Sequence, residues 1–364
     1  MKLSLLYEIQ VAEPFSHNRE AQAWKDAIAQ AKKAAEVGFH AIWAVEHHFL
    51  VEYAHCSAPE IFLSHLAALT EKIRLGHGVI IATPNVNHPF RIAERVGALD
   101  IVSDGRVDAG FGRGFSELEQ LGFGVNPETS RQVAIEAVNA LKTIWSDEFN
   151  GFKGNFLDLP KREIIPRPLQ KPHPPLWWAC TSPASFELAG QNGLGCLCFA
   201  FQPPETLEKS ISTYRLLVKD YEKNNPTLNV NNQVAGYSVA LCLSDKTRAR
   251  IDGAKGFLFN LRRWVDYIRP LAKYQQHDFY RQLLDNPLLD ALEASSSPSE
   301  KELENIGATL TELGYCALGD ESDCKTVLDR FNQLGVDQIL FLMQTAGVSN
   351  QEVLESIEHF SALK

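Results

Sequence analysis

The stretch Val37-Gly38-Phe39-His40-Ala41-Ile42-Trp43-Ala44-Val45-Glu46-His47-His48-Phe49 joins the end of a helix to a strand and then to a polar turn. Ahead of it, residues 19–37 set Trp24, Ile28, Ala31 and Ala35 on one helical stripe. Gly38 stands where a left-handed residue stops a helix. The apolar run 40–45 has the length of a buried strand, and Glu46 ends it. The same alternation continues in both directions. It predicts strands at 3–6, 40–45, 73–81, 106–110, 176–180, 195–200, 233–243 and 338–343. Helices are predicted at 58–70, 90–102, 130–145, 183–192, 205–223 and 351–363, with a long helical region before the last strand. Strands separated by helices run parallel in one sheet, and eight of them suit a closed (β/α)8 TIM barrel of the α/β class.

Such a barrel takes ~250 residues, and the chain has 364. The surplus falls at 115–175, with six prolines between Pro160 and Pro175, and at 253–311. The expectation is one domain over 1–364 with extended insertions after strands 4 and 7. Charged residues are 22% and apolar ones 45%, which suits a full buried core and excludes a disordered or fibrous chain. The net charge is −10 and no Lys/Arg run exceeds a pair, so no nucleic-acid partner is expected. There are seven cysteines and no CxxC pair, and most of them read as small buried hydrophobes in a reducing compartment. Glu8 and Gln10 cut the N-terminal apolar run too short for a signal peptide. No stretch approaches ~18 apolar residues, so no membrane segment is expected, and the expected location is the cytoplasm.

In a barrel of this kind, function sits at the C-terminal ends of the strands. Three groups fall there. Glu46-His47-His48-Phe49 follows strand 2, and adjacent residues at a strand end point in opposite directions. One histidine can face the mouth as a general base while the other packs outward; two packed histidines bonded to Glu46 are the alternative. Gly110-Phe111-Gly112-Arg113-Gly114 follows strand 4, and its glycines allow close backbone approach around an arginine suited to phosphate. Arg131 opens the next long helix near the same edge. The alternative is a tight turn with a surface arginine. Thr181-Ser182-Pro183-Ala184-Ser185 places hydroxyls at a helix start, either as an anion site or as an ordinary cap. Together, two arginines, three hydroxyls and a helix N-terminus would hold a doubly charged phosphate. No metal is expected: strand 1 lacks His-x-His, and His47, His48 and His55 lack the zinc spacing.

The ordered set of motifs resembles the bacterial luciferase-like flavin monooxygenases. It comprises Trp43–Phe49, Asn87-His88-Pro89, Ser103-Asp104-Gly105-Arg106, the Gly110–Gly114 turn, Phe123-Gly124-Val125, residues 128–131 and residues 181–185. The match in order and spacing covers roughly the first 200 residues, and 334–360 resembles the family's C-terminal unit. The resemblance implies a barrel that binds reduced FMN and reacts it with dioxygen through a C4a-hydroperoxide, acting on a small to medium organic substrate. It implies His47 as the active-site histidine, Arg113 and Arg131 on the FMN phosphate, and Ser182 and Ser185 as hydroxyls at the phosphate-binding helix start. Thr181 stands where the light-emitting α-type chain has glutamate, so only its backbone N–H carries over. Gly112 stands where that chain has a reactive cysteine.

The segment 253–311 lies where the family carries a mobile active-site segment. Its Phe257, Phe259, Trp264, Tyr267, Tyr274, Phe279 and Tyr280 suggest a lid, or else the aromatic core of an extra helical pair or a subunit contact. No GxGxxG links a strand to a helix, so a separate flavin reductase is the expected partner. The resemblance also suggests a homodimer. An F420-dependent hydride-transfer enzyme and a non-catalytic flavin-binding paralogous subunit are the rival readings.

Overall fold

The computed structural model describes residues 1–11, 16–146, 148–226, 228–274, 298–345 and 347–363. Strand β1 (Lys2–Tyr7) is followed by α1 (His17–Glu36), β2 (Ala41–Ala44), α2 (Pro59–Leu69), β3 (Arg74–Ile81), α3 (Pro89–Val102) and β4 (Val107–Gly112). A short helix α4 (Glu117–Gly122), then α5 (Ser130–Ile144) and a small hairpin, β5 (Phe152–Lys153) and β6 (Asp158–Leu159), occupy the first insertion. The alternation resumes with β7 (Leu176–Cys180), α6 (Pro183–Gln191), β8 (Gly195–Phe199), α7 (Pro204–Asn224), β9 (Val234–Cys242) and α8 (Lys246–Ile268). It ends with α9 (Glu300–Glu312), β10 (Ala317–Gly319), α10 (Glu321–Gln333), β11 (Gln338–Leu342) and α11 (Asn350–Ala362).

The main sheet runs in the order β10-β9-β11-β1-β2-β3-β4-β7-β8, and β8 pairs back onto β9 to close a parallel cylinder. Setting β10 aside, the cylinder has the eight strands of a (β/α)8 barrel. Every residue of β2 and of β9 is buried. Helices cover the outside of the cylinder and side chains fill its inside, so the strands read as apolar runs rather than as alternating patterns.

Local sequence explains the joints. Ser16 caps α1 by accepting from the Arg19 N–H, and Gly38, at φ 82°, turns the chain out of it. Pro89 and Pro183 each open a helix at a position where a missing N–H costs nothing. Trp43 on β2 and Trp177 on β7 meet edge to face at 5.4 Å and 88°. Two strands lie between β2 and β7 in the sheet, so these rings touch across the interior. Gly76 makes room for them: a Cβ there would lie 2.2 Å from the Trp43 ring. Below the rings, Asp108 accepts from Trp177 Nε1 at 3.0 Å and from Arg74 Nε at 2.5 Å, linking β7, β4 and β3.

The expected barrel is present, with three differences of detail. β10 was not predicted, because three residues carry no periodic pattern. It exists because β9 is long: the first half pairs with β8 and β11, and its last three residues pair with β10. The hairpin β5–β6 and helix α4 were likewise too short to read. In the second insertion, residues 253–268 continue α8, and Phe257 and Trp264 are buried on it. Phe279, Tyr280 and Ser295–Ser297 lie outside the described residues. All seven cysteines are buried and free. Among the described residues no helix is long and apolar enough to cross a membrane.

Gly110 on β4 sets up the turn that carries Arg113. A Cβ at this position would meet the His77 carbonyl oxygen at 2.2 Å and Leu197 Cδ1 at 2.7 Å. A backbone oxygen inside a sheet cannot step aside, so Gly110→Ala is expected to lower the unfolding free energy by about 1–3 kcal/mol in a urea titration. An unchanged midpoint would mean that β3 and β4 can separate at this point.

Candidate functional site

The strands end around one cleft, with about 1100 Å³ of empty space including its open mouth. Its wall takes residues from nearly every strand end: Glu8 after β1, His47 after β2, Ile81 on β3, Gly112 and Arg113 at β4, Thr181 after β7 and Phe199 on β8. A register shift between His77 and Ile80 marks a bulge in β3, and Gly78 and Val79 within it line the cleft.

His47 lines the cleft, while His48 turns outward onto Phe123, with ring centroids 4.8 Å apart. Adjacent positions at a strand end produce this divergence. His47 Nδ1 lies 2.9 Å from Glu119 Oε1, and the same oxygen accepts from the His48 backbone N–H at 3.1 Å. Oε2 of Glu119 accepts from the N–H groups of Phe115 (3.0 Å) and Ser116 (2.8 Å) and from the Ser116 hydroxyl (3.0 Å). Glu119 is therefore both the capping carboxylate of α4 and the partner of His47. Burial alone would depress the His47 pKa. Glu119 in contact, with Glu8 and Glu46 further off, outweighs that and raises it. Burial likewise opposes ionisation of Glu119, but His47 and the N–H groups of Ser116 and His48 hold its pKa below the ordinary value.

Glu46 fixes the turn from beneath. It accepts from the Ile81 N–H at 2.7 Å and from Asn87 Nδ2 at 2.8 and 3.0 Å, and lies 3.2 Å from His48 Nε2. Asn87 in turn accepts from Arg95, which pairs with Glu60 at 2.6 Å. Glu8, 3% exposed, accepts from the Tyr53 hydroxyl at 2.8 Å and from Gln10 Nε2 at 2.7 Å. Burial pushes its pKa up to about 7, against the opposing pull of His47 and these two donors.

Of the residues singled out in the sequence, His47, Arg113, Arg131, Thr181 and Ser185 line this one cleft. Ser182 sits behind them as the N-cap of α6. Its N–H donates to Ser185 Oγ at 2.8 Å, the Ser185 hydroxyl donates to the Ser182 carbonyl at 2.6 Å, and the two hydroxyls lie 3.2 Å apart. These hydroxyls thus serve one another, and of the two only Ser185 lines the cleft. Sequence reading missed Glu119, Glu8 and Tyr53. Ser116-x-x-Glu119 is a capping-box signature and could have flagged Glu119. Among the described residues no group of three or more His, Cys, Asp and Glu is arranged to hold a metal ion.

A closed parallel barrel with a histidine, glutamates and arginines around its C-terminal mouth agrees with the sequence comparison. The chain belongs to the luciferase-like monooxygenase family, whose model matches residues 4–338. It is 35% identical over 176 residues to the oxygenase component of a flavin-dependent trigonelline monooxygenase from Acinetobacter baylyi, covering 48% of each chain. It is 31% identical over 173 residues to an F420-dependent glucose-6-phosphate dehydrogenase from Kineococcus radiotolerans, covering 46% of this chain and 50% of that one. The match thus spans about half the length of these curated relatives. The crystal structure of the monooxygenase RslO1 from Streptomyces bottropensis superimposes with a TM-score of 0.77 at 23% identity, over 100% of this chain and 98% of that one. This likeness shows a shared fold.

The Glu119–His47 pair has a pH signature. The folded His47 pKa lies above 6.5. Its contribution to stability is therefore complete below ~6.5 and is lost as pH rises through the folded value. Glu119→Gln is expected to lower the titration midpoint of His47, read by NMR of the imidazole. It is also expected to cost roughly 2–4 kcal/mol of stability, because an amide N–H would face other N–H donors. An unmoved His47 midpoint would remove Glu119 as its controlling partner.

Proposed function

We propose that the protein is a monooxygenase that uses reduced FMN and dioxygen on a small to medium organic substrate. The observation that carries this reading is the layout of the cleft. Arg113, Arg131, Thr181 and the start of α6 lie in the same cavity wall system as the His47–Glu119 pair. The donor set fits the cofactor. Two guanidiniums can form charge-assisted bonds to a phosphate dianion, each worth roughly 1.5–3 kcal/mol. Gly112, Val79, Ala179 and Leu197 offer backbone and apolar surface for a flat ring.

Reduced FMN, when bound, supplies the activation of dioxygen. The chain supplies the rest. Arg113 and Arg131 bind the phosphate end. The apolar walls exclude water. Glu119 holds His47 through Nδ1, which leaves Nε2 to give or take a proton at the substrate. A separate reductase would deliver the reduced flavin, in keeping with the words "oxygenase component" in the name of the Acinetobacter relative.

The deciding measurement is stopped-flow absorbance of protein loaded with reduced FMN and mixed with oxygenated buffer. The expected record has a transient phase before oxidised flavin appears; one-phase reoxidation overturns the reading. Preferential binding of F420, the cofactor named for the Kineococcus relative, would replace oxygenation with hydride transfer. His47→Ala is expected to leave flavin bound and to reduce turnover by about two orders of magnitude. Arg113→Ala is expected to weaken FMN binding by roughly 1.5–3 kcal/mol in a fluorescence titration; an unmoved dissociation constant would place the phosphate elsewhere.

A further inference from the structure

The bonds around His47 leave one buried acid of the cleft without a task. Glu8 lies just after β1 and lines the cleft together with His47 and Tyr53. It is held from two sides. Its Oε1 accepts from the Tyr53 hydroxyl at 2.8 Å, and its Oε2 accepts from Gln10 Nε2 at 2.7 Å. Gln10 Nε2 also donates to Asn260 Oδ1 at 2.6 Å, which ties this end of β1 to α8. Between Glu8 and Gln10, the buried Ile9 adopts φ 55°. A β-branched residue is strained in that left-handed region, so packing and the flanking bonds hold it there.

Tyr53 connects this carboxylate to His47. Its ring stands edge to face with the imidazole, centroids 5.8 Å apart, while its hydroxyl holds Glu8. Phe115 closes a third side, 5.5 Å from the imidazole and stacked on Tyr53 at 5.8 Å and 15°. Charges set among rings are screened less than charges in water. The other groups around Glu8 are Tyr237 on β9, whose phenol is buried, and His55. His55 donates its backbone N–H to the Glu8 carbonyl at 3.1 Å, and its imidazole is engaged by Glu20 at 2.7 Å. His47 faces Glu119 at 2.9 Å, with Glu46 further off. Arg113 and Arg131 line the cleft from the turn after β4 and from α5. Of all these, His47 supplies the charge that favours ionised Glu8.

We propose that Glu8 is the charge-compensating partner of His47: when the imidazole gives up its proton at the substrate, Glu8 takes one up from solvent through the mouth of the cleft. This rests on the reading of His47 as the group that handles a proton at the substrate. One proton leaves His47 Nε2 for the substrate, and the imidazolium becomes neutral. A second proton passes from water onto a Glu8 carboxylate oxygen, which becomes neutral as well. The net charge of the pair is the same before and after. Glu8 responds, and Glu119 does not, because of their remaining donors. With His47 neutral, Glu119 still has three backbone N–H groups and the Ser116 hydroxyl, whereas Glu8 has one hydroxyl and one amide. A buried carboxylate that loses its opposing charge is unfavourable, and protonation relieves it. Burial already pushes the Glu8 pKa up to about 7 against the pull of His47, and removal of that pull raises it further. The Tyr53 hydroxyl suits both states, since it donates to an ionised Oε1 and can accept from a protonated one.

The test reads both groups in the flavin-free full chain, His47 by NMR of the labelled imidazole and Glu8 by NMR of labelled glutamate carboxyls. Coupling between two sites is reciprocal. Glu8→Gln is expected to lower the His47 midpoint by about one pH unit, and His47→Gln, which keeps an N–H for Glu119, to raise the Glu8 midpoint by a similar amount. Tyr53→Phe keeps the ring and removes one donor to the ionised form, so it is expected to raise the Glu8 midpoint too. A residue that only packs would not give equal and opposite shifts in the two variants. An unmoved Glu8 midpoint in His47→Gln, or an unmoved His47 midpoint in a folded Glu8→Gln, overturns the proposal. Should Glu8→Gln fail to fold, the other two variants still read Glu8 directly, and a wild-type Glu8 midpoint at the ordinary carboxyl value of ~4.3 overturns the proposal as well. Reciprocal shifts in a chain that binds no FMN would keep the pair and remove the oxygenase reading. Absent shifts in a chain that binds FMN would remove the pair alone.

Discussion

Glu119, with a side chain only 1% exposed, keeps a negative charge behind His47 of the cleft wall. A carboxylate taken out of water loses several kcal/mol of hydration unless its oxygens are matched. Here they are matched by the imidazole of His47, three backbone N–H groups and one hydroxyl. Those donors come from two separate segments, the turn after β2 and the start of α4. The carboxylate can therefore be satisfied only when β2, β3 and β4 have paired and brought the turn after β2 against the turn after β4. The orientation of His47, the start of α4 and the position of Phe115 follow from that one requirement.

The cleft is electrostatically divided. Arg113, Arg131 and the N-terminus of α6 lie at the strands β4 and β7, while Glu8 and Glu46 line the cleft at β1 and β2, with Glu119 behind His47. Opposite charges kept apart inside a partly dry cavity leave a field across it, because low-polarity walls screen less than water. A ligand with an anionic tail and a reactive head remote from it is turned by such a field into one orientation. The barrel makes this division possible by delivering each strand end to a fixed place on a single ring.

The barrel was legible in the sequence because its strands are buried on both faces and appear as short apolar runs between helical stripes. The polar residues at the β4 and β7 ends were legible for a related reason: Arg113 lies in a glycine turn, and Thr181–Ser185 surround a proline at a helix start. Both are local patterns. Glu8 has none. In sequence it marks the polar end of an apolar run, and nothing nearby shows that Tyr53, 45 residues on, will cover it. Glu119 carried a readable capping signature, but its second role depends on His47, 72 residues away. β10 escaped because its existence depends on the length of β9 rather than on its own three residues. Cooperative features of this kind belong to the assembled ring and not to any segment.

That contrast separates residues placed by local turns from residues placed by the assembled ring. His47 and the arginines are placed by local turns, so they can persist while loops and later helices change. The aromatic wall on the α8 side of the cleft comes from elements far apart in the chain: Tyr53 from the loop after β2, Phe199 and Tyr237 from strands, Phe257 and Trp264 from α8. Glu8 is fastened to that last helix through Gln10 and Asn260. A change in the packing of α8 would therefore move the aromatic wall and the support of Glu8 together, while the bonds between Glu119 and His47, none of which involve α8, would remain. The same frame can thus keep the Glu119–His47 pair and alter the apolar surface beside it.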